Sequence, residues 1–211
     1  MHKKINTSTI VIAVVIVAVV GLLIWNGTSK NKINAPVVDQ HGHPIAANSS
    51  SALLGNLENK PAPDFALADK DGKIYSLNEL RGKNIILFFN EGLMCYPACW
   101  DQIVALGKDE RFKNADTVVL SVVVDPPREW QKAVKQMPEL AQALVVFDEG
   151  AVISKRFGML TTASSMHYGS LPGHTFVIID KEGVIKHIFD DPNMSIHNNQ
   201  LASELEKLSQ N

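Results

Sequence analysis

Asn84-Ile85-Ile86-Leu87-Phe88-Phe89-Asn90-Glu91-Gly92-Leu93-Met94-Cys95-Tyr96-Pro97-Ala98-Cys99-Trp100 joins an apolar strand to a helix through the two cysteines of the chain. Ile85 to Phe89 is apolar at every position, as a strand buried on both faces of a sheet requires. Beyond the cysteines, Trp100, Ile103, Val104 and Leu106 recur at helical spacing. Pro97 suits a first helical turn, where its missing N–H leaves no bond unmade. The cysteines therefore stand at a strand-to-helix junction. A helix start favours negative charge through its unpaired N–H groups and macrodipole, so a thiol there is drawn toward the reactive thiolate. Two thiols this close in sequence can also close on each other and cycle between dithiol and disulfide without a cofactor.

Two cysteines admit other uses. Structural zinc takes four ligands, so the count fails unless histidines contribute, and covalent haem requires C-x-x-C-H, which is absent. A purely structural disulfide is the plain alternative, although closing so short a loop removes little chain entropy. An ideal helix cannot hold the bond: residues four apart have Cβ atoms about 5–6 Å apart, whereas a disulfide brings them to about 3.5–4.5 Å. Either Cys95 precedes the first turn, or residues 95 to 99 unwind on oxidation. Cys95, nearer the helix start and expected to be the more exposed, reads as the nucleophile; Cys99 reads as the resolving thiol. Glu91 reads either as a proton shuttle for a buried thiol or as a solvated strand-end acid. Trp100 and Tyr96 read as packing around the site or as part of a docking surface.

Outward from this stretch, strands and helices alternate. Phe65 to Leu67 and Lys73 to Leu77 flank Asp69-Lys70-Asp71-Gly72 as a hairpin. Thr117 to Val124 is a second core strand, closed by Asp125-Pro126-Pro127, and a helix runs from about Arg128 to Gln136. Ala143 to Phe147 is a short strand, and a helix of about Ala151 to Phe157 ends at Gly158. Thr161 to Gly173 reads as a loop, followed by a hairpin of Thr175 to Ile179 and Val184 to Phe189 and a terminal helix from Leu201 to Leu208. This order implies an α/β fold whose mixed central sheet is flanked by helices.

The 211 residues carry a net charge of -2 and show no basic face, which argues against a nucleic-acid partner. Ile10 to Trp25 is an uncharged run of apolar residues and Gly21 that follows Lys3 and Lys4. At helical rise it covers about 24 Å, and with Thr7 to Thr9 it approaches the roughly 30 Å of a bilayer interior. We expect residues 1–7 to be cytoplasmic, 8–25 to form one transmembrane anchor in the lipid bilayer, 26–59 to be a flexible linker, and 60–211 to be the folded domain outside the cytoplasm. A cleaved signal peptide is the rival, but no A-x-A-like site follows the run. Disulfides persist on the extracytoplasmic side. His41 and His43 in the linker are a weak metal-binding possibility.

Ala62-Pro63-Asp64-Phe65, Leu77 to Gly82, Phe88-Phe89 before a helix-start cysteine, Val124-Asp125-Pro126, Lys155-Arg156-Phe157-Gly158 and Thr175 to Gly183 together resemble the peroxiredoxin and redoxin (AhpC/TSA-like) branch of the thioredoxin-like superfamily, here with a C-x-x-x-C site. The resemblance covers about residues 60 to 208 and implies a thioredoxin-like fold. It also implies a membrane-anchored thiol–disulfide oxidoreductase with Cys95 and Cys99 as catalytic residues, no cofactor, and extracytoplasmic protein thiols or disulfides as partners. A peroxiredoxin-like thiol peroxidase is the second expectation, with a peroxide and a thiol electron donor as partners. Peroxiredoxins carry P-x-x-x-T-x-x-C, where this chain has Phe88 and Gly92, and an arginine two residues before the late Thr-Phe, where it has Gly173. Membrane-tethered thioredoxin-like reductases place a cis-proline before the late strand, and Pro172 is the matching candidate. Copper chaperones of the Sco type use C-x-x-x-C plus a histidine, so a copper-binding assembly factor using Cys95, Cys99 and His174 is the third expectation.

Overall fold

The computed structural model describes residues 54–209 except Ala115, together with the backbone of residues 37–38 and 44–45. Seven strands form one sheet: β1 (Ala66–Asp69), β2 (Ile74–Ser76), β3 (Asn84–Phe89), β4 (Thr117–Val123), β5 (Val145–Phe147), β6 (Thr175–Ile179) and β7 (Ile185–Asp190). Their order is β2-β1-β5-β4-β3-β6-β7. The central β3-β4-β5 pairs are parallel, as strands joined by helical crossovers must be, and the remaining pairs are antiparallel. The mixed sheet expected from the element order is therefore present.

Every residue of β3 is buried, and the strand's two-residue period divides the core into two layers. Ile85, Leu87 and Phe89 face Phe65, Leu77, Leu80, Ile153 and Phe157. Ile86 and Phe88 face the opposite layer, which holds Cys95, Cys99, Trp100, Ile103, Trp130 and Leu201. That second layer is built by α1 (Ala98–Lys108), α2 (Pro127–Gln136) and the last helix of the chain; α3 (Val152–Arg156) covers the first layer, and α4 (Asn198–Leu208) is the last helix. The cysteines thus lie beneath helices, against the aromatic side of β3 and β6.

Several boundaries differ from the sequence reading. A 3-10 helix at Pro138–Gln142 delays β5 to Val145. The terminal helix begins at Asn198 rather than Leu201, because polar side chains anchor its first turn. The Asn198 amide donates to the Ala105 carbonyl and to Asp109 while accepting from Gln102. Packing also reaches into the stretch read as linker: Leu54 and Leu57 join the first core layer, and the Asn59 N–H donates to the Ile185 carbonyl at 2.7 Å. Val37–Val38 pairs with Pro44–Ile45 as a two-residue antiparallel ladder. Among the described residues no helix is long and apolar enough to cross a membrane. The expected span at 8–25 and the histidines at 41 and 43 lie outside those residues.

Candidate redox site

The loop after β3 is shaped by polar groups that the surrounding layers bury. Asn90 is fully buried; its amide donates to the Phe88 and Val122 carbonyls, and its oxygen accepts the Gly92 N–H at 2.9 Å. Gly92 turns the chain at φ +59°, and the Asp125 carboxylate at the end of β4 accepts the next N–H, from Leu93, at 2.9 Å. Burial pushes the Asp125 carboxyl above its ordinary value, and the Leu93 bond opposes that rise. The Trp100 indole N–H closes the loop on the Gly92 carbonyl at 3.0 Å. Gly92–Cys95 then forms one 3-10 turn, Tyr96 is extended, and α1 starts after Pro97. Cys95 therefore precedes the helix and Cys99 lies in its first turn, which brings their Cα atoms to 5.3 Å, and the two form a disulfide.

Expected exposure of Cys95 is corrected: both sulfurs lie inside the second core layer. The cover comes from the turn between β7 and α4, which places Met194 Sδ 3.7 Å from Cys95 Sγ. On the other side, His174 at the threshold of β6 directs Nδ1 at Cys99 Sγ, 3.5 Å away. Its Nε2 faces the Ser195 carbonyl at 3.3 Å, a bond that requires the proton on Nε2 and leaves Nδ1 with a free lone pair toward Cys99. The ring packs edge-on against Phe88 and Phe176. Asp191 orders the same turn by accepting from Asn193 and Ser195 N–H groups and from His197 Nε2. Although burial opposes its charge, these bonds hold the Asp191 carboxyl below its ordinary value.

Burial drives His174 down to about 4, against the pull of the Asp191 charge and the Ser195 bond. Above the ordinary imidazole value near 6.5 the ring is neutral in folded and unfolded chains alike. Between there and about 4, the unfolded chain takes up a proton that the folded chain excludes, so stability falls with falling pH, by about 3 kcal/mol in all. Thermal unfolding of the wild type and His174→Gln from about pH 7 to about 4.5 checks this. The wild type should lose stability across the interval and the variant much less; equal losses would assign the titration to another group.

The other expected residues fall into different roles. Glu91 is neither solvated nor directed at a thiol: it is 1 % exposed, and its carboxylate accepts the Met166 and His167 N–H groups and faces His167 Nδ1 at 2.9 Å. It anchors the segment leading into β6, and its oxygens are occupied there. Pro172 is buried two residues before His174, but the cis bond among the described residues is Tyr96–Pro97, not Leu171–Pro172. The position facing the sulfurs is taken by His174. Pro97 lies at the helix cap, between the cysteines. Trp100 is buried packing and a loop clamp, with half-exposed Tyr96 edge-on to it. Sequence reasoning missed Met194, Asp191 and His197. Their only signal was the cluster of polar residues before the last helix, which carries no spacing rule.

The AhpC/TSA family model matches residues 59–188. Chloroplastic peroxiredoxin Q of Populus jackii is 30% identical over 162 residues, covering 72% of this chain and 70% of that protein. Peroxiredoxin Bcp of Escherichia coli strain K12 is 28% identical over 149 residues, covering 69% of this chain and 93% of that one. The chain spans 57% of the wheat peroxiredoxin Q and 60% of the Suaeda salsa one. In fold, yeast mitochondrial 1-Cys peroxiredoxin superposes with a TM-score of 0.61 at 17% identity, over 72% of this chain and 76% of that one. The chain belongs to the AhpC/TSA family, as an oxidoreductase of the thioredoxin-like fold.

Proposed function

We propose that the protein is a thiol–disulfide oxidoreductase that exchanges electrons with protein thiols and disulfides through Cys95 and Cys99. The observation that carries this reading is the local pair itself, closed within one loop, with the unprotonated His174 Nδ1 facing Cys99. In the reducing direction the Cys95 thiolate attacks a partner disulfide and expels one partner thiolate, leaving a mixed disulfide. Cys99 then gives its proton to His174 Nδ1 as its sulfur attacks Cys95 Sγ. The second partner thiolate leaves and takes that proton, while the first thiolate takes one from solvent, so two electrons have passed to the partner. The oxidising direction is the reverse. The apolar run after Lys3 and Lys4 supports a membrane anchor at 8–25 with the domain on the extracytoplasmic side.

Thiol peroxidase activity is the second reading, supported by relatives named peroxiredoxin Q and peroxiredoxin Bcp. There Cys95 would take an oxygen from peroxide and Cys99 would resolve the sulfenic acid to the disulfide with loss of water. Two features of this chain rank it below exchange. Glycine stands at the family's threonine and arginine positions, and a Cβ on Gly92 would meet Asp125 Oδ2 at 1.7 Å, one on Gly173 the Ser164 Oγ at 2.1 Å. A third reading takes copper as cargo, because the donor atoms of Cys95, Cys99 and His174 lie within 4.8 Å of one another. Reduced thiolates with a neutral imidazole suit Cu(I).

Parallel assays on the full chain separate the three: reduction of a disulfide peptide, consumption of hydrogen peroxide, and retention of Cu(I) by the reduced protein. Exchange should be the fastest turnover. Peroxide consumption faster than peptide reduction overturns the ranking, and one equivalent of Cu(I) lost in His174→Ala with no exchange at all favours cargo binding.

A further inference from the structure

The disulfide is closed off from its partners. Cys95 is 2 % exposed and Cys99 0 %, whereas an attacking sulfur must reach bonding distance, about 2 Å, of one of them. Met194 Sδ, at 3.7 Å from Cys95 Sγ, already occupies van der Waals contact with the sulfur that sits nearer the helix start.

The way Met194 is held is informative. Its backbone lies in the left-handed region at φ +53°, which glycine and asparagine adopt far more readily than a side chain of this size. Such a conformation persists where surrounding bonds over-determine it, and here they do. The Met194 N–H donates to the Asp191 carbonyl at 3.0 Å, and the Asp191 carboxylate accepts Asn193 and Ser195 N–H groups on either side. The same turn offers the Ser195 carbonyl to His174 Nε2. One rigid turn thus reaches both halves of the redox site, and its mobile element is an unbranched thioether that can swing without the backbone. Met94 and Tyr96, on either side of Cys95, and Ile196 on the turn itself are large apolar residues left more than half exposed.

We infer that Met194 is a specificity-determining residue: a stopper on Cys95 that a docked polypeptide displaces and that holds back small free thiols. A chain laid over Met94, Tyr96 and Ile196 gains apolar contact that offsets moving Met194, while a small thiol gains none. The inference rests on the exchange reading of the Cys95–Cys99 pair.

The test follows reduction of the oxidised, full-length protein by two probes: dithiothreitol and a reduced peptide carrying two cysteines. With either, one thiolate attacks Cys95 and releases the Cys99 thiolate, and the second thiol closes the probe's own disulfide, passing two electrons to the protein. Met194→Ala should raise the dithiothreitol rate about tenfold and the peptide rate much less, while Met194→Leu, of similar bulk, stays near the wild type. Met194→Gly accepts the left-handed backbone without strain, so it should match the alanine variant even if alanine loosens the turn. Alanine and glycine variants with wild-type dithiothreitol rates overturn the stopper, and brisk peptide reduction of all variants would then leave exchange standing. A dithiothreitol rate that responds to Met194 while the peptide reduces no variant supports the stopper and removes exchange with polypeptides.

Discussion

A Cys95→Ser chain loses thiol–disulfide exchange by at least roughly a thousandfold, and Cys99→Ser halts at a mixed disulfide with its partner. The asymmetry follows from position. Cys95 lies outside the first turn of α1, where helix N–H groups favour its thiolate, and the Met194 side chain stands against its sulfur. Cys99 is fully buried inside that turn and faces His174, so it meets a mixed disulfide already formed on Cys95. Mass spectrometry of non-reduced reactions with a disulfide-linked peptide checks the order: a peptide adduct, formed as Cys95 expels the other half of the peptide disulfide, should accumulate on Cys99→Ser and be absent from Cys95→Ser. An adduct at Cys99 in the Cys95→Ser chain reverses the assignment. A disulfide that only braces the fold makes a different prediction, since either variant would lose about 2 kcal/mol of stability for so short a loop and leave turnover untouched.

The layered fold was legible because β3 and β6 are apolar at every position after their first residue and because strands and helices alternate between them. Those patterns report burial, and burial is what builds the sheet. The cysteine pair was legible for the same reason, since its two members are local in sequence. What escaped was everything brought to the site from far along the chain. Met194 lies 99 residues from Cys95, and the bonds that hold its turn are made by Asp191 to backbone groups, which no side-chain periodicity announces. Glu91 was misread because a carboxylate beside a strand end looks solvated unless the partner loop is known. Here the partner is the backbone of Met166 and His167, seventy-odd residues away. His174 was legible as a residue but not as a state. Its tautomer depends on the Ser195 carbonyl, which the last turn delivers.

Installing the peroxiredoxin residues, as Gly92→Thr or Gly173→Arg, destabilises the protein by about 3 kcal/mol or more each and yields no peroxidase. At position 92 the backbone sits at φ +59° and a Cβ would fall 1.7 Å from Asp125 Oδ2. The carboxylate must swing away, which breaks its bond to the Leu93 N–H and leaves a buried acid without that partner. At position 173 a Cβ would stand 2.1 Å from Ser164 Oγ, 2.3 Å from Thr162 Oγ1 and 2.7 Å from the Ser165 backbone nitrogen. Those groups are not free to give. Ser164 bonds Asp190, Thr162 bonds the Met159 carbonyl, and Ser165 belongs to the segment that Glu91 anchors. Because the clash begins at Cβ, Gly92→Ala and Gly173→Ala should already carry most of the loss, a melting temperature lower by about 10 °C. Gly82→Ala serves as the control. It shares a positive φ but meets nothing within 4 Å, so it should cost only about 1 kcal/mol. If Gly92→Thr melts like the wild type and consumes peroxide faster, the loop has room for the family's threonine and the peroxidase reading takes precedence. If the losses fall as expected, the two glycines are structural requirements of this loop. Exchange would then be the chemistry its packing allows, with His174 rather than a threonine and an arginine beside the sulfurs.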